Sequence, residues 1–127
     1  MDTKIKVLIV EDEIAILNPY KDYLTMKGFD VQSATDGEQG IEMCSTFMPH
    51  IVLLDIMLPK VDGLEVLKQI KADAKLKDVK IILLTALGRD SVIKKGFDLG
   101  ADAYLIKDQE NQETVEQAIL KTLKESK

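Results

Sequence analysis

The chain alternates short apolar runs with segments in which apolar residues recur every three or four positions. An uninterrupted apolar run is typical of a strand that is covered on both faces of a parallel sheet, and the longer spacing is typical of an amphipathic helix. The runs predict five strands: Lys4–Val10, Phe29–Ala34, His50–Asp55, Lys80–Thr85 and Ala103–Ile106.

A helical segment follows each of these predicted strands. The first carries Ile14, Leu17, Tyr20 and Leu24 on one face and ends at Gly28, a residue type that commonly caps helix C-termini. The others are predicted over Asp36–Phe47, Leu64–Ala74, Asp90–Leu99 and Glu113–Lys124. Five consecutive βα units predict an α/β fold of the doubly wound (βα)5 type, a parallel sheet with helices on both faces. We find no linker, so residues 1–127 are interpreted as one domain.

Composition narrows the possible functions. The 127 residues carry a formal net charge of −5, which argues against direct nucleic-acid binding because phosphate contacts supply most of that affinity. No apolar run exceeds four residues, so we expect no membrane-spanning helix. The first residues lead straight into a strand without a signal-peptide layout, and a lone cysteine suits a reducing cytoplasm. We therefore expect a cytoplasmic location and a Cys44 side chain packed in the core.

Polar residues stand where the predicted strands end. Glu11-Asp12-Glu13 follows the first strand, Asp55 closes the third, Thr85-Ala86 closes the fourth, and Lys107 follows the fifth. The carboxyl ends of parallel strands meet at one edge of the sheet, which is where open α/β sheets bind ligands. The sequence therefore predicts a functional site at this edge.

The acidic triplet alone has an ordinary explanation, because carboxylates in the first turn of a helix complement its dipole. Asp55 favours a functional site over this ordinary explanation, since it would bring another carboxylate to the same place. Crowded carboxylates repel one another and raise each other's pKa unless a cation is present. An oxygen-rich cluster of this kind suits Mg²⁺.

These residues together resemble the receiver domain of two-component response regulators. The resemblance is carried by Glu11-Asp12, by Asp55 with Pro59 and Asp62-Gly63, by Thr85-Ala86, and by Gly100-Ala101-Asp102-Ala103-Tyr104 with Lys107. It covers essentially the whole chain and implies the flavodoxin-like strand order 2-1-3-4-5.

The resemblance implies that Asp55 is a phosphoacceptor, which takes a phosphoryl group from a phosphohistidine on a sensor histidine kinase or phosphotransfer protein. It also implies that Asp12, Asp55 and the main-chain carbonyl of Met57 bind Mg²⁺, with Glu11 acting directly or through water. The chain would then be a signalling switch and not an enzyme, since it would catalyse only its own phosphorylation and slow dephosphorylation.

By the same resemblance, Lys107 pairs with one phosphoryl oxygen and Thr85 donates its hydroxyl to another. Movement of Thr85 would let the ring of Tyr104 turn inward and change the surface of the fourth helix, fifth strand and fifth helix, where a downstream protein would bind. Gly96 is expected to weaken the fourth helix and ease this movement. Alone, Tyr104 could equally be an interface aromatic with a solvated hydroxyl. The oligomeric state stays open between a monomer and a phosphorylation-dependent homodimer.

Two other classes of protein share parts of this pattern. A flavodoxin-type cofactor protein has this fold, but its first loop must hold a phosphate, which Glu11-Asp12-Glu13 would repel. An Mg²⁺-dependent phosphohydrolase of the haloacid dehalogenase type also places an aspartyl nucleophile after an apolar strand. That family has a second aspartate two residues later, where this chain has Met57.

The chain departs from the receiver pattern in two respects. Met57 and Leu87 occupy the two positions that flank the path of the hydrolytic water in receivers, and neither can orient water, so we expect slow dephosphorylation. Asp108 stands where receivers usually have a proline after the lysine. A cis bond before a residue other than proline costs about 2.5–4 kcal/mol, so we predict a trans Lys107–Asp108 peptide.

Overall fold

A computed structural model describes residues 4–86, 90–107 and 110–125. Its strands are β1 (Lys6–Val10), β2 (Asp30–Ala34), β3 (Ile51–Asp55), β4 (Lys80–Thr85) and β5 (Ala103–Ile106). Its helices are α1 (Ile14–Met26), α2 (Gly37–Phe47), α3 (Gly63–Ala72), α4 (Asp90–Asp98) and α5 (Gln112–Lys124). Every predicted element is present, and no predicted end moves by more than two residues.

The five strands form one parallel sheet in the order β2-β1-β3-β4-β5, which confirms the predicted doubly wound fold. The register pairs Val10 with Leu54 and Thr85 with Ile106. Neighbouring strands therefore end at nearly the same level, and the residues that follow them meet at the carboxyl edge of the sheet.

Both faces of the sheet are covered, which explains the uninterrupted apolar runs. Side chains alternate between the faces of a strand, so Val7 and Ile9 of β1 pack with the helices α1 and α5, while Leu8 and Val10 pack with α2 and α3. The α4 helix lies on the second of these faces, where its partly buried Val92 packs against the core. Residues after β1 and β3 are thus placed by strands that are fixed from both sides.

Aspartate N-caps begin α2 and α3, and a glycine follows the end of α1. The carboxylate of Asp36 accepts a hydrogen bond from the Gln39 N–H at 2.8 Å, and the carboxylate of Asp62 accepts one from the Glu65 N–H at 3.0 Å. Both aspartates are N-caps, which supply an acceptor for an otherwise unpaired N–H. Gly28 follows α1 with φ +99°, the left-handed conformation that glycine adopts without strain.

Cys44, on the inner face of α2, is fully buried in the core, as predicted. Burial raises the pKa of its thiol to about 12.

Among residues 4–86, 90–107 and 110–125, none of the helices has the length and apolar character needed to cross a bilayer.

Candidate functional site

Four strand ends deliver polar side chains to the carboxyl edge. Glu11 follows β1, Asp55 closes β3, Thr85 closes β4 and Lys107 follows β5, and the first three are almost completely buried. Their backbone is held by neighbouring strands: the Glu11 N–H donates to the Ala34 carbonyl at 3.0 Å, and the Lys107 N–H donates to the Thr85 carbonyl at 2.8 Å. The backbone at Glu11 and Lys107 is therefore held by the sheet.

The Lys107 ammonium lies at the centre of the acidic residues. Its Nζ atom is 2.9 Å from Asp55 Oδ2, 3.1 Å from Glu11 Oε1 and 3.7 Å from Glu13 Oε1. The lysine side chain is only 14% exposed, so these charges interact with little screening by water. Lys107, just after β5, therefore forms an ion pair with Asp55 at the end of β3.

The acidic cluster fits a hard divalent cation. Glu11, Asp12 and Asp55 each offer one oxygen, and these oxygens lie within 4.8 Å of one another. Among the described residues, Glu11 Oε1 and Asp55 Oδ2 are buried oxygens without a hydrogen-bond partner, although both lie at ion-pair distance from Lys107. One ammonium cannot balance three carboxylates, and Mg²⁺ prefers oxygen ligands of this kind.

The pKa shifts of the clustered side chains also favour a bound cation. Burial raises the pKa of the Asp55 carboxyl, although Lys107 opposes that rise. Burial also raises the pKa of Glu11 to about 7, with a further rise from the charge of Asp55. Burial by itself lowers the pKa of Lys107, but its contacts with Asp55 and Glu11 outweigh this and raise it. The cluster therefore holds a charged lysine and carboxylates that a further cation would stabilise.

The loop after β3 folds back tightly beside Asp55. The Met57 N–H donates to Asp55 Oδ1 at 3.0 Å, while the Met57 side chain is 58% exposed. The Gly63 N–H donates to the Ile56 carbonyl at 2.8 Å. A Cβ at position 63 would lie 2.5 Å from Ile56 Cα, and it would come still closer to the Asp55 carbonyl oxygen. Only glycine fits there, because backbone atoms cannot move aside as a side chain can.

Thr85 closes β4, and Tyr104 lies near the start of the neighbouring strand β5. The Thr85 hydroxyl donates to the Ala86 carbonyl at 3.3 Å. Among the described residues, it makes no hydrogen bond to Asp55. Tyr104 pairs with Leu83 in the register of β4 and β5, yet its side chain is 44% exposed. Its ring meets the Phe97 ring edge-on, with centroids 6.1 Å apart and an interplanar angle of 85°.

Residues 7–119 match the family model described as response regulator receiver domain. The match covers most of the chain. This chain belongs to the response regulator receiver domain family.

The relatives of this receiver include transcriptional regulators. It is 41% identical over 102 residues to the DNA-binding dual master transcriptional regulator RpaA of Synechocystis sp., and the alignment covers 80% of this chain and 42% of that protein. It is 45% identical over 107 residues to the probable transcriptional regulator ycf27 of Guillardia theta, covering 84% of this chain and 41% of that protein. The chain thus spans less than half the length of these relatives, whose names indicate regulation and not catalysis.

A solved receiver confirms the fold. The receiver domain protein (CheY-like) of Methanospirillum hungatei superimposes with a TM-score of 0.90 at 27% identity, over 98% of this chain and 97% of that one. The comparisons lend no support to the phosphohydrolase alternative. The chain is therefore a two-component receiver with the fold that its motifs implied.

Two features of this receiver were not predicted from its sequence. Gly96 was interpreted only as a weak point of α4, but a Cβ there would clash with Leu83 Cδ1, so the glycine lets α4 lie directly on β4. Phe97, the ring partner of Tyr104, was not singled out at all. Leu87 and the Lys107–Asp108 peptide lie outside the described residues, and the predictions made for them stay predictions.

Proposed function

We propose that this receiver accepts a phosphoryl group on Asp55 from a phosphohistidine of a sensor histidine kinase or phosphotransfer protein. One observation carries the proposal: Lys107 Nζ lies 2.9 Å from a buried Asp55 carboxylate that shares an acidic cluster with Glu11 and Asp12. A buried carboxylate paired with a lysine can act as an anionic nucleophile toward an anionic group, because the lysine offsets the negative charge. The neighbouring Asp12 is exposed, so the cluster reaches the protein surface.

In the proposed transfer, an Asp55 carboxylate oxygen attacks phosphorus. A new O–P bond forms while the N–P bond of the phosphohistidine breaks, and its electron pair returns to the imidazole ring. Lys107 exchanges its ion pair with Asp55 for one with a phosphoryl oxygen. The Thr85 hydroxyl turns from the Ala86 carbonyl, where it now donates at 3.3 Å, to another phosphoryl oxygen.

Asp12, Asp55 and the Met57 carbonyl would hold Mg²⁺, with Glu11 binding directly or through water. When bound, Mg²⁺ offsets the repulsion between nucleophile and donor and neutralises charge on the transferred group. The protein contributes the placement of these oxygens, because the Met57 N–H already orients Asp55 through Oδ1 at 3.0 Å.

The donor protein has a suitable place to approach. A groove of about 330 Å³ lies between α1 and residues 110–112, and Lys107 lines it together with apolar side chains that include Ile16 and Pro19. A groove beside the lysine, lined by both apolar and polar side chains, lets a partner dock while its phosphohistidine reaches Asp55.

The proposed output is a change of the surface formed by α4, β5 and α5. Thr85 and Tyr104 are the switch residues, and an unidentified downstream protein binds the altered surface. Within this proposal, residues 1–127 act as a cytoplasmic receiver that makes no direct nucleic-acid contact and performs no multiple turnover. A monomer and a phosphorylation-dependent homodimer are both compatible with it.

Acetyl phosphate tests the proposal directly. We expect one added phosphoryl group in the presence of Mg²⁺, detected by intact-mass spectrometry, and none after chelation of the metal. Asp55→Asn should stay unmodified, whereas Asp22→Asn, a matched change on the exposed face of α1, should react like the wild type. Labelling of Asp55→Asn to the wild-type extent would overturn the assignment. Continuous release of inorganic phosphate at many turnovers would favour the phosphohydrolase instead.

A further inference from the structure

The loop of residues 56–62 joins β3 to α3 and contacts the N-terminus of α2. At its beginning, the Met57 N–H donates to Asp55 Oδ1 at 3.0 Å. Further along, the Pro59 carbonyl accepts a hydrogen bond from the Gly37 N–H at 3.4 Å. The loop therefore lies between the acceptor carboxylate and the first residue of α2.

Gly37 packs against this loop with no room for a side chain. A Cβ at position 37 would lie 2.7 Å from the carbonyl carbon of Val61 and 2.9 Å from its Cβ, and it would overlap the carbonyl oxygen. The opposing atoms are largely backbone, which cannot rotate away. Any side chain at position 37 must therefore displace the loop or the helix.

Lys60 adds a second connection at the same place. It has a positive φ of 67°, a conformation that costs free energy for a residue other than glycine unless its surroundings hold it. Its Nζ lies 3.6 Å from Asp36 Oδ2 and 4.0 Å from Glu38 Oε1 at the start of α2. The lysine is largely exposed, so these ion pairs contribute little each, and the Gly37 contact is the main restraint.

The two oxygens of Asp55 are held from different directions. Oδ2 faces Lys107 at 2.9 Å, whereas Oδ1 is oriented by the Met57 N–H. A displaced loop would leave the first interaction in place and change the second. The loop therefore orients the carboxylate through Oδ1.

We propose that Gly37 is a positioning residue for Asp55, acting through the contact of α2 with the 56–62 loop. The inference rests on the proposed function, because it concerns the orientation of the same acceptor and of the Met57 carbonyl beside it. A misplacement of about 1 Å is enough to cost on the order of a hundredfold in a preorganised site.

Gly37→Ala tests this inference, with Gly40→Ala as its matched control. Both are buried glycines of α2, but a Cβ at position 40 would approach Val10 Cγ1 at 2.9 Å on β1 and not the loop. We expect Gly37→Ala to weaken Mg²⁺ binding by about tenfold or more and to slow labelling by acetyl phosphate similarly. The Met57 amide resonance of the metal-free protein should also move. The Mg²⁺ dissociation constant of Gly40→Ala should lie within about twofold of the wild-type value when both proteins are measured under conditions in which they are fully folded.

Lys60→Gln covers the case in which Gly37→Ala fails to fold. Loss of a cation near an acidic site would by itself strengthen Mg²⁺ binding, so a weakening of about twofold is a sign of positioning and not of simple electrostatics. Lys68→Gln on the exposed face of α3 is the control. Equal Mg²⁺ binding in the two glycine variants would overturn the inference. Where Gly37→Ala does not fold, unchanged or stronger Mg²⁺ binding in Lys60→Gln would overturn it instead. A wild-type protein that neither binds Mg²⁺ nor accepts phosphate would overturn the proposed function itself.

Discussion

The carboxyl edge of the sheet has two halves that are built differently. At the ends of β1 and β3, Glu11 and Asp55 are buried and the following loop is fixed on both sides. On β4 and β5, the buried Thr85 hydroxyl donates, among the described residues, to its neighbour's carbonyl, and Tyr104, near the start of β5, is half exposed. A site that must place charges accurately and also change shape can separate these tasks, with one half rigid and the other adjustable.

The two glycines that pack against the acceptor loop differ from the glycine of α4 in what they face. Gly37 and Gly63 face backbone atoms, so a larger residue at either position must move the chain. Gly96 faces the end of the Leu83 side chain, which can change its rotamer. Close packing is therefore strict around the acceptor and more forgiving beneath α4, where movement is expected.

Lys107 follows β5, but its ammonium pairs with Glu11 and Asp55, so Lys107→Met should destabilise the rigid half most severely. Removing the ammonium leaves the buried charges of Asp55 and Glu11 unpaired, a change that typically costs about 3–5 kcal/mol. We expect the free energy of unfolding to fall by that amount in Mg²⁺-free buffer, measured by urea denaturation, and part of it to return on adding Mg²⁺. Lys68→Met should change it little. A loss below about 1 kcal/mol would mean that Lys107 does not hold the cluster together.

Asp12→Ala should remove the stabilisation that Mg²⁺ gives to the same half. A ligand at a hundred times its dissociation constant stabilises the native state by about 2.7 kcal/mol. Wild type and Asp22→Ala should therefore melt at a higher temperature with Mg²⁺, while Asp12→Ala should not respond. Without metal, Asp12→Ala should be no less stable than wild type, because one repelling charge is gone. The same metal-dependent rise in all three proteins would show that the ligand set is wrong.

Phe97→Ala tests the adjustable half. An edge-to-face aromatic pair is worth about 0.5–1.5 kcal/mol, so losing the Phe97 ring should raise the inward population of Tyr104 by about two- to tenfold. The χ1 populations of Tyr104, obtained from NMR couplings in the unphosphorylated protein, measure this shift. Leu120→Ala, an exposed residue of α5, serves as the control. Identical populations in the two variants would remove Phe97 from any role in holding Tyr104.

Met57→Asn tests whether position 57, in the rigid half, controls attack of water on phospho-Asp55. The exposed thioether cannot orient a nucleophilic water, whereas an amide can, and one hydrogen bond of about 0.5–1 kcal/mol corresponds to a two- to fivefold change in rate. We expect phospho-Asp55 to hydrolyse that much faster in the variant, followed by loss of the phosphorylated mass. An unchanged or longer lifetime would contradict this reading of position 57.

The sequence predicted the fold and the acidic cluster well because both depend on local patterns. Strands covered on both faces appear as uninterrupted apolar runs, and residues that follow parallel strands must meet at one edge. The contact between Gly37 and Val61 depends instead on how closely α2 approaches a distant loop, which no local pattern contains. The pairing of Phe97 with Tyr104 likewise requires the packing of α4 beside β5.

The strand order also has a consequence for how the chain folds. Glu11 and Asp55 follow the adjacent strands β1 and β3, whereas Lys107 is 96 residues from Glu11 along the chain. The entropy cost of closing a loop grows with its length, so β1 and β3 are expected to pair before β5 joins them. The two carboxylates would then approach each other before their counter-charge arrives. Under this hypothesis, Asp55→Asn should fold faster than the wild type in stopped-flow refolding, and an unchanged folding rate would show that the lysine arrives in time.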